Sequence, residues 1–368
     1  MAISDAWRDQ TASGYALLER AGGLAPGLAL AVSIAALASA APLGPILLAI
    51  LLGLALRNAI GLPPAYQAGV QLAAGPILRV GVALLGIQLS LRTLAGLGLA
   101  GVPVVVSCIA AALLLAACMT RAFGLPRRLG LLVAVGTAIC GNAAIAAVAP
   151  VIGADEDETS YAVGTITLFG LIALCIHPFV ARALFDGDAR LAGLFLGTAI
   201  HDTAQVAGAG LLYAEHYGAP VALETATLTK LVRNLFMVAV IPLIALLHRG
   251  VGPRARATSG WPLRRLLPAF VWGFLALALV RTLGDRAVEG SGGSLDSATW
   301  TAAVRLASAA STACLAVAMA AIGLSTRLDR LRRLGLAPLG AGLATALTVG
   351  IVSAALVRLL AWRMLGAP

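Results

Sequence analysis

Long apolar stretches separated by short polar turns run through almost the whole chain. An α-helix needs about 20 mostly apolar residues to cross the hydrocarbon core of a bilayer, and about eleven stretches reach or approach that length. The predicted spans are residues 24–41, 42–56, 67–91, 97–118, 129–152, 160–181, 191–213, 224–247, 265–283, 300–324 and 336–360. The pattern predicts an all-α, polytopic membrane protein with about 10–11 transmembrane helices.

The composition agrees with this prediction and excludes other classes. Hydrophobic residues make up 60% of the 368 residues and charged residues only 11%, against about 25% in an average soluble domain. The net charge is +10, but no basic stripe lies on a polar, foldable segment, so nucleic acid is not an expected partner. The five cysteines lie in apolar segments without metal-ligand spacing, and neither a metal nor a cofactor is predicted.

Arginines concentrate in alternate loops. One set of loops contains Arg8, Arg20, Arg57, Arg121, Arg127, Arg128, Arg182, Arg190, residues 249–265 and residues 327–333; the other contains Arg92, the acidic run 155–158, Glu215 and residues 285–296. The positive-inside rule places the first set in the cytoplasm. The resulting organisation is a cytoplasmic segment 1–23, a first transmembrane bundle 24–247, a basic cytoplasmic linker 248–264 and C-terminal transmembrane helices 265–368, with the N-terminus inside and the C-terminus outside.

Two internal similarities suggest repeats. The stretch that begins at Gly86 resembles the stretch that begins at Gly323, and the span count gives the two opposite directions, as in the inverted repeats of secondary transporters. Residues 136–143 (Gly-Thr-Ala-Ile-Cys-Gly-Asn-Ala) also resemble residues 197–204 (Gly-Thr-Ala-Ile-His-Asp-Thr-Ala). The count gives these two motifs the same direction, so either the count is wrong nearby or one segment is re-entrant.

The two Gly-Thr-Ala-Ile motifs place small and polar residues in the middle of predicted spans. Interrupted helices at membrane depth occur where the backbone is buried in protein or lines a cavity. The N–H groups at the start of a half-helix carry partial positive charge and suit an anion. The side chains that could add hydrogen bonds to a bound anion are Thr137, Asn142, Thr198, Thr203 and Gln205. The alternative is two ordinary helices with small residues for packing.

His201 and Asp202 follow the second motif directly. A carboxylate in the middle of a span is costly and is usually paired and functional. Asp202 could bind a proton or Na⁺ as a coupling ion, and His201 could carry a proton near neutral pH. A structural pair between Asp202 and an arginine or lysine is the competing interpretation.

Lys230, Arg233 and Asn234 share one face of a predicted helix, because they lie three and four residues apart. A guanidinium offers a planar fork to an oxyanion, and an ammonium offers a compact charge. The sequence therefore predicts that these three residues bind the transported anion. The alternative is that the long side chains extend to the nearest membrane surface.

Several blocks of the sequence, taken in order, resemble the YeiH-type family of bacterial inner-membrane proteins. The blocks are residues 44–53 with Arg57 and Asn58, residues 78–86, 136–147, 201–208 and 230–234. The resemblance covers nearly the whole chain, and family members are often labelled as sulfate exporters. It implies an inner-membrane location, a fold related to the cation/proton-antiporter and bile-acid-transporter superfamily, and export of sulfate or a related sulfur oxyanion.

Three functions remain open from the residues themselves. The first is a secondary transporter for a small inorganic or organosulfur anion, coupled to protons or sodium or uncoupled. The second is a cation/proton antiporter in which Asp202 binds the cation and Lys230 balances charge. The third is an intramembrane enzyme with Cys140 as nucleophile and His201 as base. Faces of small residues would also permit a homodimer in the lipid bilayer.

Overall fold

The computed structural model describes residues 24–39, 45–88, 91–247, 269–289, 296–329 and 336–365, and every regular element within these ranges is a helix. The α-helices are α1 (Ala25–Ser39), α2 (Pro45–Ala59), α3 (Pro64–Leu72), α4 (Leu78–Leu84), α5 (Leu91–Ala122), α6 (Arg127–Ala138), α7 (Asn142–Ile152), α8 (Glu156–Leu184), α9 (Ala189–Ala199), α10 (Thr203–Tyr217), α11 (Pro220–Leu235), α12 (Met237–Leu247), α13 (Ala269–Glu289), α14 (Ser297–Ser325) and α15 (Leu336–Leu365). A π-helical turn, Ala73–Ile77, and a 3₁₀ turn, Leu85–Gln88, continue α3 and α4. The predicted all-α class is confirmed.

Several described helices are long and apolar enough to cross a bilayer. The qualifying stretches are Pro64–Gln88, Asp157–Leu184, Ser297–Ser325 and Leu339–Leu359. The shorter apolar helices are Ala25–Ser39, Ile46–Ala59, Val102–Leu115, Asn142–Ile152 and Ala189–Ala199. Large side chains such as Leu114 and Ile351 are exposed on these helices, as expected where lipid is the solvent.

Contacts group the described residues into two compact units. The first takes in the described residues as far as Gly81 together with Ala309–Asp329, and the second takes in Val82–Ser308 and α15. The predicted segment 1–23 and linker 248–264 lie outside the described residues, so the predicted division of the chain at that linker stays a prediction. The predicted repeat of the stretches that begin at Gly86 and Gly323 also stays a prediction, because the turns that follow these stretches are only partly among the described residues.

Small residues set the helix spacing in the first unit. Gly27 of α1 lies against the backbone of Tyr66 in α3, and Gly53 of α2 lies against the backbone of Ala320 in α14. A Cβ atom at either glycine would overlap main-chain atoms, so these helices pack more closely than larger residues allow. Asn58 then ties the end of α2 to the turn after α14, because its Nδ2 donates to the Thr326 carbonyl at 3.0 Å.

Both Gly-Thr-Ala-Ile motifs interrupt their helices in the second unit. Helix α6 ends at Ala138 and α7 begins at Asn142; helix α9 ends at Ala199 and α10 begins at Thr203. The predicted interruptions are therefore present. We call residues 139–141 and 200–202 the two tips.

At the first tip the chain turns back instead of crossing the membrane. Ile145 of α7 lies against Gly136 of α6, although nine residues of straight helix would separate these positions by about 14 Å. The ring of Phe123, just before α6, lies against Gly340, and Phe169 of α8 lies against Gly342. The start of α6 and the first half of α8 are therefore at the same end of α15. We call this end of the second unit the first face. Helices α6 and α7 form a hairpin, which we call the first hairpin, and both of its arms have their open ends at the first face.

The second tip is also the turn of a hairpin. Gly193 of α9 lies against Ala222 near the start of α11, whereas Gly197 lies against Thr229, so α9 and α11 run in the same direction. Gly210 of α10 lies against Leu223, and Asn234 bonds to Thr203, so α10 runs in the opposite direction. Helices α9 and α10 are the second hairpin.

Aromatic contacts close the open end of the second hairpin. The guanidinium of Arg182, near the end of α8, lies 5.3 Å from the ring centre of Tyr217 at the end of α10. The rings of Phe179 and His216 are 5.7 Å apart. The second hairpin therefore enters and leaves at the end of α8, the second face. Since α8 runs from the first face to the second, the hairpins enter from opposite sides and their tips meet between them.

The prediction that residues 129–152 and 191–213 are crossing spans is therefore wrong, as is the loop assignment that followed from it. Each arm has only 11–15 residues, or about 16–22 Å of helix, too short to cross a core of about 30 Å. The acidic run 155–158 lies at the same face as Arg127, and the Arg182 loop lies at the opposite face. Of the two alternatives left open by the sequence, the re-entrant one is correct, and it applies to both motifs. The motifs consequently run in opposite directions.

The hairpins can be tested by labelling single cysteines in intact cells, in a variant whose five native cysteines are replaced. We expect Arg128→Cys and Asp157→Cys to react with a membrane-impermeant maleimide from one side of the membrane, because both exposed positions lie at the first face. Arg190→Cys and Glu215→Cys should react from the other side. Labelling of Arg128→Cys and Asp157→Cys from different sides would contradict the first hairpin.

Candidate functional site

The two tips bring four helix ends together in the interior of the second unit. Helices α6 and α9 each end there with unpaired carbonyl groups and partial negative charge, and α7 and α10 each begin there with unpaired N–H groups and partial positive charge. Such groups need partners when they are buried away from water. The side chains that supply these partners come from the motifs and from α11.

Arg233 of α11 binds the carbonyl ends of both hairpins. Its Nε donates to the Ala138 carbonyl at 2.6 Å, and its Nη2 donates to the Thr137 carbonyl. Its Nη1 donates to the carbonyls of Thr198 at 2.7 Å and Ile200 at 3.3 Å. Thr137 and Thr198 occupy the same position of the two motifs, so the guanidinium fork joins equivalent points of two inverted elements. The side chain is fully buried.

Lys230 lies one turn earlier on the same face of α11. Its ammonium donates to the Ile200 carbonyl at 3.0 Å and to the His201 carbonyl, and the residue is 0% exposed. The predicted proximity of Lys230 and Arg233 is thus present, and neither side chain extends to a membrane surface. Their N–H groups meet backbone carbonyls, and the lysine keeps one further N–H group beyond these two bonds.

Asp202 serves both helix N-termini. Its Oδ1 accepts from the Ala204 N–H at 2.9 Å and so caps α10, while Gln205 Oε1 accepts from the Asp202 N–H at 3.3 Å. Its Oδ2 faces Gly141 at the start of α7, where a Cβ would lie only 2.7 Å from it, and the Asn142 N–H interacts with the same carboxylate. One negative charge thus faces the positive ends of α7 and α10.

The amide and hydroxyl side chains extend this cluster. Asn142 Nδ2 donates to Thr167 Oγ1 of α8 at 3.4 Å, and Gln205 Nε2 donates to the Thr167 carbonyl at 3.2 Å. Asn234 Nδ2 donates to Thr203 Oγ1 at 3.2 Å. These bonds join Asn142 and Gln205 through Thr167, and Asn234 to Thr203, the residue after Asp202; all four joined residues other than Thr167 were predicted from the sequence.

The predicted site residues differ in how far their side chains are exposed. Thr137, Thr198, His201, Gln205, Lys230, Arg233 and Asn234 are buried, whereas Asn142, Asp202 and Thr203 are partly exposed. Thr137 contributes its carbonyl to Arg233, and Thr198 bonds to Ser353 of α15, with 2.5 Å between the hydroxyl oxygens. A solute that approaches the tips would therefore meet Asn142, Asp202 and Thr203 first.

Sequence reasoning missed three residues of the site. Thr167 and Ser353 lie in long apolar helices where a single hydroxyl is common, so nothing in the sequence distinguished them. Gly141 could have been identified from the sequence, because it aligns with Asp202 when the two motifs are superposed. Its φ of 67° and ψ of −126° are a conformation essentially reserved for glycine.

The predicted thiol and imidazole pair does not form the geometry of a nucleophile and its base. Cys140 Sγ lies 3.2 Å from Met237 Sδ, at the start of α12. Within the described residues neither ring nitrogen of His201 has a hydrogen-bond partner, whereas an activated nucleophile typically lies within hydrogen-bond reach of its base. No group of three or more His, Cys, Asp or Glu side chains in the described part of the chain could hold a metal ion.

Removal of the bridging guanidinium should destabilise the protein strongly. Arg233→Met keeps the length of the side chain but leaves the carbonyls of both helix ends unpaired, and loss of one member of a buried charged network costs about 3–5 kcal/mol. We expect a large drop in the melting temperature of the purified protein in detergent. The control is Arg305→Met, at an exposed position of α14, which should change it little. Equal stability of the two variants would contradict the bridging role.

Gly141→Ala should damage the site by two separate effects. The backbone conformation becomes strained, at about 1–3 kcal/mol, and the new methyl group displaces the Asp202 carboxylate. Gly124→Ala is a matched control, because Gly124 also has a positive φ of 62° but nothing lies within 4 Å of its Cβ position. Melting temperatures should fall further for Gly141→Ala than for Gly124→Ala. Identical shifts would show that the carboxylate is not held there.

Comparisons with known proteins place the chain in a family. The sequence model of the family described as "Conserved hypothetical protein 698" matches residues 23–342. The UPF0324 membrane protein FN0533 of Fusobacterium nucleatum is 31% identical over 87% of this chain and 90% of its own length. The UPF0324 membrane protein RSc1111 of Ralstonia nicotianae is 33% identical over 90% and 89%, and the UPF0324 membrane protein TauZ of Paracoccus pantotrophus is 35% identical over 78% and 80%. The expectation of a YeiH-type membrane protein is confirmed, and the chain belongs to the UPF0324 family of membrane proteins.

Proposed function

We propose that this membrane protein is a secondary transporter that moves a small anion, sulfate or a related sulfur oxyanion, across the bacterial inner membrane by alternating access. The observation that carries the proposal is the meeting of two inverted hairpins at a cluster of buried Lys230 and Arg233 with partly exposed Asp202. Intramembrane charges of this kind mark substrate and ion pathways, and interrupted helices at a repeat interface are a recurrent transporter site. A relation to the cation/proton-antiporter and bile-acid-transporter superfamily is part of the proposal.

Charge balance favours an anion over a cation as the solute. The partial charges of two helix C-termini and two N-termini cancel one another. Two cationic side chains and one carboxylate then leave one positive charge uncompensated in the cluster. A bound anion removes this imbalance, whereas a cation bound alone increases it. This is the reason to prefer anion transport to cation/proton antiport.

The partly exposed polar groups indicate where the anion binds. Asn142 and Thr203 are the first residues of α7 and α10, so a solute between them is close to both positive helix ends. Lys230 adds its remaining N–H group, and Arg233 adds charge at longer range while it holds the backbone of the tips. His201 and Asp202 provide coupling to a proton or to sodium.

The proposed orientation follows the positive-inside rule. Arg121, Arg127 and Arg128 lie at the first face, and α12 runs alongside α7 toward that face before the arginine-rich residues 249–265 in the sequence. On this basis, and with Arg8 and Arg20 near the N-terminus of the sequence, we propose that the first face and the N-terminus are cytoplasmic. The second face, with the Arg182 loop, is then external.

Uptake by purified protein in proteoliposomes tests the function. We expect saturable flux of ³⁵S-labelled sulfate, sulfite or a short sulfonate in the wild type. Thr203→Val removes one hydroxyl and should raise the KM by about 3–10-fold, the value of one hydrogen bond, with little change in kcat. Thr345→Val, which alters a buried hydroxyl on α15, should transport as the wild type does. Sodium-driven pH changes that need no anion would instead identify a cation antiporter.

A further inference from the structure

We propose that the face of helices α3 and α4 that carries Arg79 borders water at the depth of the bilayer core, and that its guanidinium attracts the transported anion. This inference rests on the proposed function, because it assigns to the same anion a residue outside the cluster at the tips. It depends on three features of the first unit: a polar stripe on one helix, the depth of Arg79, and the lack of a partner carboxylate.

A polar stripe follows one side of the helix that α3, the π-helical turn and α4 form together. Gln67, Gln71 and Arg79 are exposed, and Gly75 between them has nothing within 4 Å of its Cβ position. Each of these residues lies four positions after the previous one, so they follow one side of the helix. Gly69 on the opposite side lies against the backbone of α1. One side of this helix is therefore packed on protein, and the other carries polar groups.

The π-helical turn keeps this stripe in line. Eight residues of continuous α-helix make about 2.2 turns, which would place Arg79 about 80° around the helix from Gln71. The turn Ala73–Ile77 closes i→i+5 hydrogen bonds and so rotates less per residue, which returns Arg79 toward the line of Gln71. Turns of this kind are frequent at functional sites.

Arg79 lies too deep in its span to be explained by contact with the membrane surface. It is the middle residue of the predicted span 67–91, and about 14 Å of helix separate it from Gln88, the nearer end of the apolar stretch Pro64–Gln88. Arginines near helix ends extend to the headgroups, whereas charges at the centre of a span face protein or a water-filled cavity. Because the Arg79 side chain is exposed, water is the surrounding that its charge requires.

The charges of the first unit favour an anion at this face. Residues 24–81 contain no Asp or Glu, and Asp329, in the turn after α14, pairs with Arg327 at 2.6 Å. Among the described residues, no carboxylate lies within salt-bridge distance of Arg79. The stripe therefore presents one positive charge beside neutral glutamine amides, whose NH₂ groups can donate to an oxyanion. A cation would be repelled by the same face.

A single cysteine at Gly75 tests this face without any measurement of transport. In the variant without native cysteines, Gly75→Cys should react with two membrane-impermeant methanethiosulfonates, one bearing a sulfonate and one a trimethylammonium group. The sulfonate reagent should be favoured, and Arg79→Gln should lower the ratio of the two rates by at least about threefold, the effect of one charge some 7 Å away in water. Arg79→Lys should keep the ratio. Ile351→Cys, exposed in the middle of the apolar stretch Leu339–Leu359, should not react.

Transport by the same residue is tested in proteoliposomes. Arg79→Gln should raise the KM for the sulfur oxyanion by about 3–10-fold, the value of one charge contact in water, whereas Arg79→Lys should keep the wild-type KM. Chemical restoration of the charge guards against simple misfolding. Arg79→Cys should recover a lower KM after reaction with the trimethylammonium reagent and should not recover it after reaction with the sulfonate reagent.

The outcomes separate this inference from the proposed function. Absence of reaction at Gly75→Cys, or a rate ratio that Arg79→Gln leaves unchanged, would overturn the inference. An unchanged KM in Arg79→Gln would also overturn it and leave anion transport intact. The expected rate ratios in a protein that moves no tested anion would support a water-filled, anion-attracting face and refute the proposed function.

Discussion

The bonds from Arg233 to the carbonyl groups of Thr137, Ala138, Thr198 and Ile200 hold the centre of the second unit together. Two helices end in the interior with partial negative charges, and the one guanidinium pairs with carbonyl groups of both ends. A guanidinium suits this role because its donors point outward in one plane and remain protonated in a buried setting. Lys230, by comparison, bonds only to carbonyl groups of the second tip. The arginine therefore allows the hairpins to stop halfway through the unit.

The remainder of the site follows from the same electrostatic requirement. Lys230 donates to the backbone carbonyls that follow α9, and the carboxylate of Asp202 faces the N–H groups at the N-termini of α7 and α10. Each charge neutralises a helix terminus before it can act on a solute. Cations outnumber carboxylates by one in this cluster, which supports the proposed binding of an anion. Glycine at position 141 supplies the space in which the shared carboxylate lies.

The sequence predicted the helical class, both helix interruptions and the buried charges, because each has a local signature: apolar length, a Gly-rich motif in mid-span, or a charge far from any polar turn. The reversal of direction at each tip has no such signature. Residues 129–152 have the length and hydropathy of a crossing helix. The hairpin is revealed by the contact of Ile145 with Gly136 and by the packing of Phe123 and Phe169 on α15. The role of Arg233 was also hidden, because its partners are backbone carbonyls, which every residue carries. Thr167 and Ser353 were missed for a related reason, since a lone hydroxyl in an apolar helix has many ordinary explanations.

The pairing of Gly141 with Asp202 makes the two motifs unequal members of an otherwise matched pair. The carbonyl groups of Thr137 and Thr198 both accept from the guanidinium of Arg233. The second motif, however, carries the acid, Asp202, whereas the first carries Gly141, whose missing side chain leaves room for that acid. The two copies cannot exchange these roles singly, since an acid in both would crowd two negative charges together and a glycine in both would leave the N-termini without a counter-charge. Relatives of this protein should therefore retain the glycine and the acid jointly or lose them jointly, and a homologue with the two interchanged would place its acid on the hairpin from the other side of the membrane.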